Sequence, residues 1–119
     1  MRMRVLYVED NVLLRSAAVR FLSKEYDVST VGNGRDALDL ITKQDFDAVV
    51  SDVEIPYMNG VELHAQVAQV KPELAAKFIF VSGGMDREIA EVLEALPNQL
   101  LMKPFRFQDL GEALRALTA

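Results

Sequence analysis

Five short apolar runs recur along the chain, and segments with helical spacing of apolar residues separate them. The runs have the length of strands, and continuously apolar strands are typical of parallel sheets that are buried on both faces. The second run contains Ser29 and Thr30, so we expect it nearer an edge of the sheet. The runs cover residues 5–8, 28–31, 48–50, 78–81 and 100–102.

The segments between the runs predict helices. In the first of them, between residues 14 and 22, apolar residues recur at intervals of three and four, which places them on one helical face. Asn33 and Asn59, each followed by Gly, mark the starts of the second and third helices. Strand and helix therefore alternate five times, which predicts an α/β fold: a doubly wound, five-stranded parallel sheet with helices on both faces, flavodoxin-like and of (βα)5 type.

Length and composition fit one globular domain over residues 1–119, with 50% hydrophobic residues and no cysteine. The formal net charge is −5, and a nucleic-acid partner normally requires a basic face. We therefore expect no direct contact with nucleic acid. The apolar run near the N-terminus is too short for a signal peptide or a membrane helix, so we expect a cytoplasmic protein without membrane insertion.

Polar residues follow four of the five predicted strands. The carboxyl ends of strands in an open parallel sheet meet at one edge, where ligands bind. We therefore expect these residues to converge. They are Glu9-Asp10 after the first strand, Asp52 after the third, Ser82-Gly83 after the fourth and Lys103-Pro104 after the fifth.

Each of these residues has a simpler explanation when it is taken alone. Asp10 could cap a helix, Ser82 could be a turn residue, and Lys103 could be a solvated charge. Asp52 is harder to explain in this way, because it emerges from a buried apolar strand. Three neighbouring carboxylates repel one another and require a cation, and oxygen ligands suit a hard ion such as Mg²⁺. With a hydroxyl and an ammonium group added, the set suits binding or transfer of a phosphoryl group.

Pro56 and Gly60 follow Asp52 at intervals of four and eight residues, and Phe105 follows the Lys103-Pro104 pair. With these residues in place, the chain resembles the receiver domain of two-component response regulators over residues 4–117. Each motif is weak alone, but the whole set in this order is specific.

The resemblance implies a role for each site residue. Asp52 would be the nucleophile that accepts a phosphoryl group from phosphohistidine. Lys103 and Ser82 would contact that group, and Gly83 would leave room for it. The protein would thus catalyse its own phosphorylation and dephosphorylation but would not be an enzyme acting on other substrates.

The resemblance also implies a cofactor and partners. Mg²⁺, or Mn²⁺ in its place, would be bound by Asp10 and Asp52, by Glu9 through water, and by the backbone carbonyl of Glu54. The phosphoryl donor would be a histidine kinase or a histidine phosphotransfer protein, and the signal would pass to a downstream protein target. In the family, the Lys-Pro bond after the fifth strand is often cis.

Three further positions carry predictions. Family members usually have Tyr or Phe three residues before the lysine, where this chain has Leu100. We interpret Leu100 as a core residue, and we expect the signal to travel instead through the backbone and the fourth predicted helix, over residues 82 and 85–96. The Glu54 side chain either influences hydrolysis of the acyl phosphate or is a solvated loop acid. His64, the only histidine, is predicted to be a surface residue.

Two other functions remain open from the residues. A haloacid-dehalogenase-like phosphatase uses similar groups, but it requires a second Asp where this chain has Glu54. A phosphorylation-independent interaction module with the receiver fold is the stronger alternative. A nucleotide-binding site is not indicated, because no glycine-rich loop follows the first strand.

Overall fold

The computed structural model describes residues 2–84 and 86–119, in which five parallel strands pair into one sheet. The strand order is β2-β1-β3-β4-β5, and β2 lies at an edge as predicted. All five predicted strands and the doubly wound topology are confirmed. The strands are β1 (Arg4–Val8), β2 (Asp27–Val31), β3 (Ala48–Asp52), β4 (Phe78–Ser82) and β5 (Gln99–Met102).

Six helices lie in the described part of the chain, one more than predicted. The additional helix is a single turn that begins at Pro72, directly after the third predicted helix. Proline is favoured at the first helical position, so this residue starts a turn as well as following a helix end. The helices are α1 (Val12–Leu22), α2 (Gly34–Lys43), α3 (Gly60–Val70), α4 (Pro72–Ala75), α5 (Arg87–Glu94) and α6 (Phe107–Thr118).

Side-chain caps fix where the helices begin. The Asn33 side chain accepts a hydrogen bond from the backbone of Asp36 at the start of α2. Asn59 and Glu62 form a reciprocal capping box at the start of α3. The predicted helix starts at these two asparagines are confirmed.

The core lies on both faces of the sheet. On one face, residues of α2, α3 and α5 pack against Phe78 and Phe80 of β4. On the other face, residues of α1 and α6 pack against Ile79 and Val81 of the same strand. Successive side chains of a strand point to opposite faces, so a continuously apolar strand supplies both layers.

Two glycines mark where the loop over residues 53–59 lies against the helices. A Cβ atom at Gly60 would be 2.6 Å from the backbone oxygen of Asp52, and one at Gly34 would be 2.1 Å from that of Met58. The Gly60 amide also donates to the carbonyl of Val53 at 2.9 Å. The chain just after β3 is therefore held closely by the first turns of α2 and α3.

The prediction that His64 is an ordinary surface residue is wrong. Its ring lies 5.2 Å from that of Phe78 and 5.5 Å from that of Phe80. Its Nε2 atom is 3.1 Å from the carbonyl oxygen of Ala75 and donates to it when the ring is neutral. His64 follows the buried Leu63 in α3 and lies at the margin of the buried face. The one-turn α4 supplies the carbonyl of Ala75 as an acceptor, which could not be predicted from the sequence.

His64 is expected to make the stability of the fold depend on pH. Burial lowers the pKa of His64 below 6.5, and the bond to Ala75 offsets this only in part. The unfolded chain therefore takes up the proton at a higher pH than the folded chain does. The parent should lose free energy of unfolding as the pH falls from about 7.5 to about 5.5, and His64→Gln should lose less. Urea denaturation at each pH measures this difference, and parallel curves for the two proteins would contradict it.

Candidate functional site

The residues predicted from the strand ends meet at one edge of the sheet. Val8 of β1 pairs with Ser51 of β3, which brings the next residues, Glu9 and Asp52, side by side. Ser82 at the end of β4 pairs with Met102 of β5, so that Lys103 follows at the same level. Parallel pairing in this register turns four distant segments into one site.

Lys103 connects the two buried carboxylates of the site. Its Nζ atom donates to Glu9 Oε1 at 2.8 Å and to Asp52 Oδ2 at 2.7 Å. The side chains of Glu9 and Asp52 are only 1% and 4% exposed, whereas that of Lys103 is 25% exposed. The ammonium group therefore offsets carboxylate charge that water cannot reach.

Backbone amides hold the same two carboxylates in place. The amide of Glu54 donates to Asp52 Oδ1 at 3.1 Å, and the amide of Asn11 donates to Glu9 Oε2 at 3.1 Å. The Arg15 guanidinium donates to the Glu9 carbonyl, also at 3.1 Å. Each carboxylate thus has a cation on one oxygen and an amide on the other.

Burial is the largest single influence on the pKa of Asp52, Lys103 and Tyr7. It raises the pKa of Asp52, because the bonds from Lys103 and the other neighbours offset the loss of water only in part. Burial alone lowers the pKa of Lys103, but its hydrogen bonds to Asp52 and Glu9 outweigh this and raise it. Burial, followed by the charges of Glu9 and Asp52, also raises the pKa of Tyr7, so the phenol stays neutral.

Asp10 completes an oxygen cluster that fits a hard divalent cation. Carboxylate oxygens of Glu9, Asp10 and Asp52 all lie within 4.8 Å of one another. Asp10 is exposed, so the cluster opens to solvent on one side. Mg²⁺ keeps several waters when it binds to one or two carboxylates, and Mn²⁺ accepts the same ligands. The donor set therefore suits either ion.

Ser82 lies at the same edge, but it contacts Glu54 and not Asp52. Its hydroxyl, which is fully buried, lies 2.7 Å from Glu54 Oε1. Gly83, next along the chain, has room for a small side chain, because a Cβ atom there would lie 3.7 Å from the Cδ atom of Lys103. The Lys103-Pro104 peptide bond is cis, as the resemblance implied.

The structure brings together four of the predicted residues, Glu9, Asp10, Asp52 and Lys103. The simpler reading of Asp10 as a helix cap is wrong, because Asn11 caps α1 by accepting from Leu14. The sequence analysis missed Asn11 and Arg15. Asn is among the best capping residues, so Asn11 could have been found, whereas the bond from Arg15 to a backbone carbonyl has no signal in the sequence.

Comparison with known proteins agrees with the resemblance to receiver domains that the sequence motifs indicated. Residues 5–115 match the sequence profile of the response regulator receiver domain. The chain therefore belongs to the response regulator receiver domain family, whose general function is to receive the signal in two-component signalling. This assignment leaves the dehalogenase-like phosphatase without support.

Curated relatives extend beyond the region that they share with this chain. Response regulator MprA of Mycolicibacterium vanbaalenii is 34% identical over 98% of this chain, and the match covers 51% of MprA. Transcriptional regulatory protein TcrA of Mycobacterium tuberculosis is 33% identical over 97% of this chain and 46% of TcrA. The chain spans about half the length of these relatives.

Solved structures agree with the fold. A CheY-like receiver domain protein from Methanospirillum hungatei superposes with a TM-score of 0.89 at 25% identity, covering 98% of this chain and 93% of that one. Chemotaxis response regulator CheY4 of Vibrio cholerae gives 0.85 at 27% identity, covering 98% and 99%. In the described ranges, every helix is too short or too polar to cross a lipid bilayer.

Replacing the buried carboxylate at position 52 should stabilise the fold. A raised pKa means that ionising Asp52 costs more in the folded chain than in the unfolded one, so stability is lost as the pH rises above 3.8 through the folded value. Asp52→Asn keeps the shape of the side chain but removes its negative charge, and Lys103 remains paired with Glu9. We expect the free energy of unfolding near neutral pH to rise by on the order of 1 kcal/mol.

Urea denaturation without divalent cations measures this change. Asp45→Asn is the matched control, because the Asp45 side chain is 99% exposed and the same substitution there should change stability little. A less stable Asp52→Asn variant would show that the ion pair with Lys103 outweighs the burial of the carboxylate.

Proposed function

We propose that the chain accepts a phosphoryl group on Asp52 and changes conformation in response. The observation that carries the proposal is a buried carboxylate held between Lys103 and a backbone amide, beside two further acids. A purely structural ion pair would need one acid, whereas three acids around one ammonium group leave negative charge that a bound cation can offset.

In the proposed reaction, an oxygen of Asp52 attacks the phosphorus of a phosphohistidine on a partner. The new phosphorus–oxygen bond forms as the phosphorus–nitrogen bond breaks, and the imidazole leaves with the electron pair. Lys103 would offset negative charge on the transferring oxygens, and the contact of its ammonium group with Asp52 supports this role. Desolvation keeps that electrostatic interaction strong.

Glu9, Asp10 and Asp52 are the residues that would hold Mg²⁺ or Mn²⁺ beside the acceptor. A bound ion supplies charge neutralisation for the phosphoryl oxygens. The backbone carbonyl of Glu54 as a further ligand stays a prediction, as does the phosphoryl-pocket role of Gly83.

The proposed donor is a histidine kinase or a histidine phosphotransfer protein, and the proposed output is a downstream protein. The expectations that the chain acts on no other substrate, works in the cytoplasm and makes no direct contact with nucleic acid are parts of this proposal. TcrA is named a transcriptional regulatory protein, but that name applies to the whole of TcrA, of which the match covers 46%.

Phosphorylation of Asp52 is tested directly by intact-mass spectrometry. Incubation with Mg²⁺ and acetyl phosphate, or with phosphoramidate as a donor that has a phosphorus–nitrogen bond, should add one phosphoryl group to the parent. Asp52→Ala should gain none, and Asp45→Ala, which alters an exposed acid, should behave as the parent does. A chelator of divalent cations should abolish the gain, because the acids then repel the incoming anion.

No gain from either donor, in a protein shown to be folded and supplied with Mg²⁺, would reject the phospho-acceptor role. The phosphorylation-independent interaction module would then be the better account of the chain.

The second part of the proposal concerns how the signal leaves the site. Leu100 is partly buried and packs against the core cluster that also contains Leu93 of α5. With no aromatic ring at position 100, we propose that the segment between β4 and α5 itself moves. Helix α5 corresponds to the fourth helix predicted from the sequence, and Met85 lies outside the described residues.

Amide hydrogen exchange over residues 86–96 should change when beryllofluoride and Mg²⁺ are added. Unchanged exchange in protein that binds beryllofluoride would contradict this route.

A further inference from the structure

The Ser82 hydroxyl has more hydrogen-bond acceptors within reach than it has protons. Its oxygen accepts from the amide of Gly84 at 3.1 Å, and its single proton can go to Glu54 Oε1 at 2.7 Å or to the Gly84 carbonyl at 2.9 Å. Bonds from a hydroxyl to a carboxylate are shorter and stronger than bonds between neutral groups. The shorter distance and the negative charge both favour Glu54.

The backbone near Asp52 places Glu54 for this contact. The amide of Glu54 donates to Asp52 Oδ1, which fixes the turn after β3. Asp52 pairs with Val81, so Ser82 follows at the adjacent strand end. Glu54 itself is exposed, so its carboxylate can turn into water once its bond to Ser82 is broken, whereas the Ser82 hydroxyl is fully buried and cannot.

We propose that Glu54 is a positioning residue for Ser82, whose carboxylate engages the hydroxyl that a phosphoryl group on Asp52 would need. This inference rests on the proposed function. Two anions cannot share one proton, and like charges at this distance repel. A phosphoryl group must therefore displace the Glu54 carboxylate before Ser82 can donate to it. Glu54 stabilises the unphosphorylated arrangement of the site, and its release accompanies switching.

The competition predicts that removing the Glu54 carboxylate strengthens binding of a phosphoryl analogue. With Mg²⁺ present, Glu54→Ala should bind beryllofluoride about fivefold to tenfold more tightly than the parent, the range expected for loss of one competing charge-assisted hydrogen bond. The dissociation constant is measured by titration, following tyrosine fluorescence or amide chemical shifts. Glu88→Ala, which removes an exposed acid in the first turn of α5, should bind as the parent does.

A double-mutant cycle separates competition for the hydroxyl from simple charge repulsion. In a Ser82→Ala background, Glu54→Ala should improve binding by less than about twofold, because no hydroxyl remains to be released. In a Ser82→Thr background, which keeps the hydroxyl, the full gain should return. Circular dichroism establishes that each variant is folded, and Ser82→Gly, which also lacks the hydroxyl, takes the place of Ser82→Ala if that variant is not folded.

The outcomes distinguish this inference from the function on which it rests. If the parent binds beryllofluoride but Glu54→Ala gains nothing, or gains equally with and without a hydroxyl at position 82, Glu54 does not position Ser82 and the phospho-acceptor role stands. If the parent neither binds beryllofluoride nor accepts a phosphoryl group, the proposed function fails and the inference fails with it.

Discussion

The contacts of Lys103 with Glu9 and Asp52 hold the site together. Both carboxylates are almost inaccessible to water, and bringing them within a few ångströms of each other and of Asp10 is unfavourable without a compensating cation. One ammonium group reaches two of the three acids, and backbone amides occupy their other oxygens. The pKa of Asp52 stays raised nevertheless, which indicates a site that is compensated only in part. A site of this kind stores electrostatic free energy that a divalent cation can release on binding.

The parallel sheet is what makes such a site possible. Glu9, Asp52 and Lys103 are far apart in the sequence, and only pairing between neighbouring strands brings their side chains together. The central strands β1, β3 and β4 are largely apolar because helices cover both faces of the sheet, and the polar groups of the site lie at strand ends. The demand for a buried core and the placement of the chemistry therefore follow from the same pattern of residues.

This pattern explains how much could be predicted. The five strands, the edge position of β2 and the convergence of the acids with Lys103 follow from apolar runs and their polar ends. The partial burial of His64 could not be predicted, because it depends on the one-turn α4 and on two aromatic rings of β4. The contact between Ser82 and Glu54 was also out of reach, since spacing places both at one edge but does not fix side-chain rotamers. Local pattern determines the elements, and tertiary packing determines the partners of individual side chains.

The close approaches at Gly34 and Gly60 leave less free space on one side of the site than on the other. The loop after β3 is pressed against the first turns of α2 and α3, with no space for even one additional carbon atom at either glycine. Two residues beyond the end of β4 there is free space, since a Cβ atom at Gly84 would meet nothing within 4 Å. A rearrangement at this edge of the sheet therefore has space on the side of Ser82 and α5, whereas the tight packing at Gly34 and Gly60 opposes it on the other side.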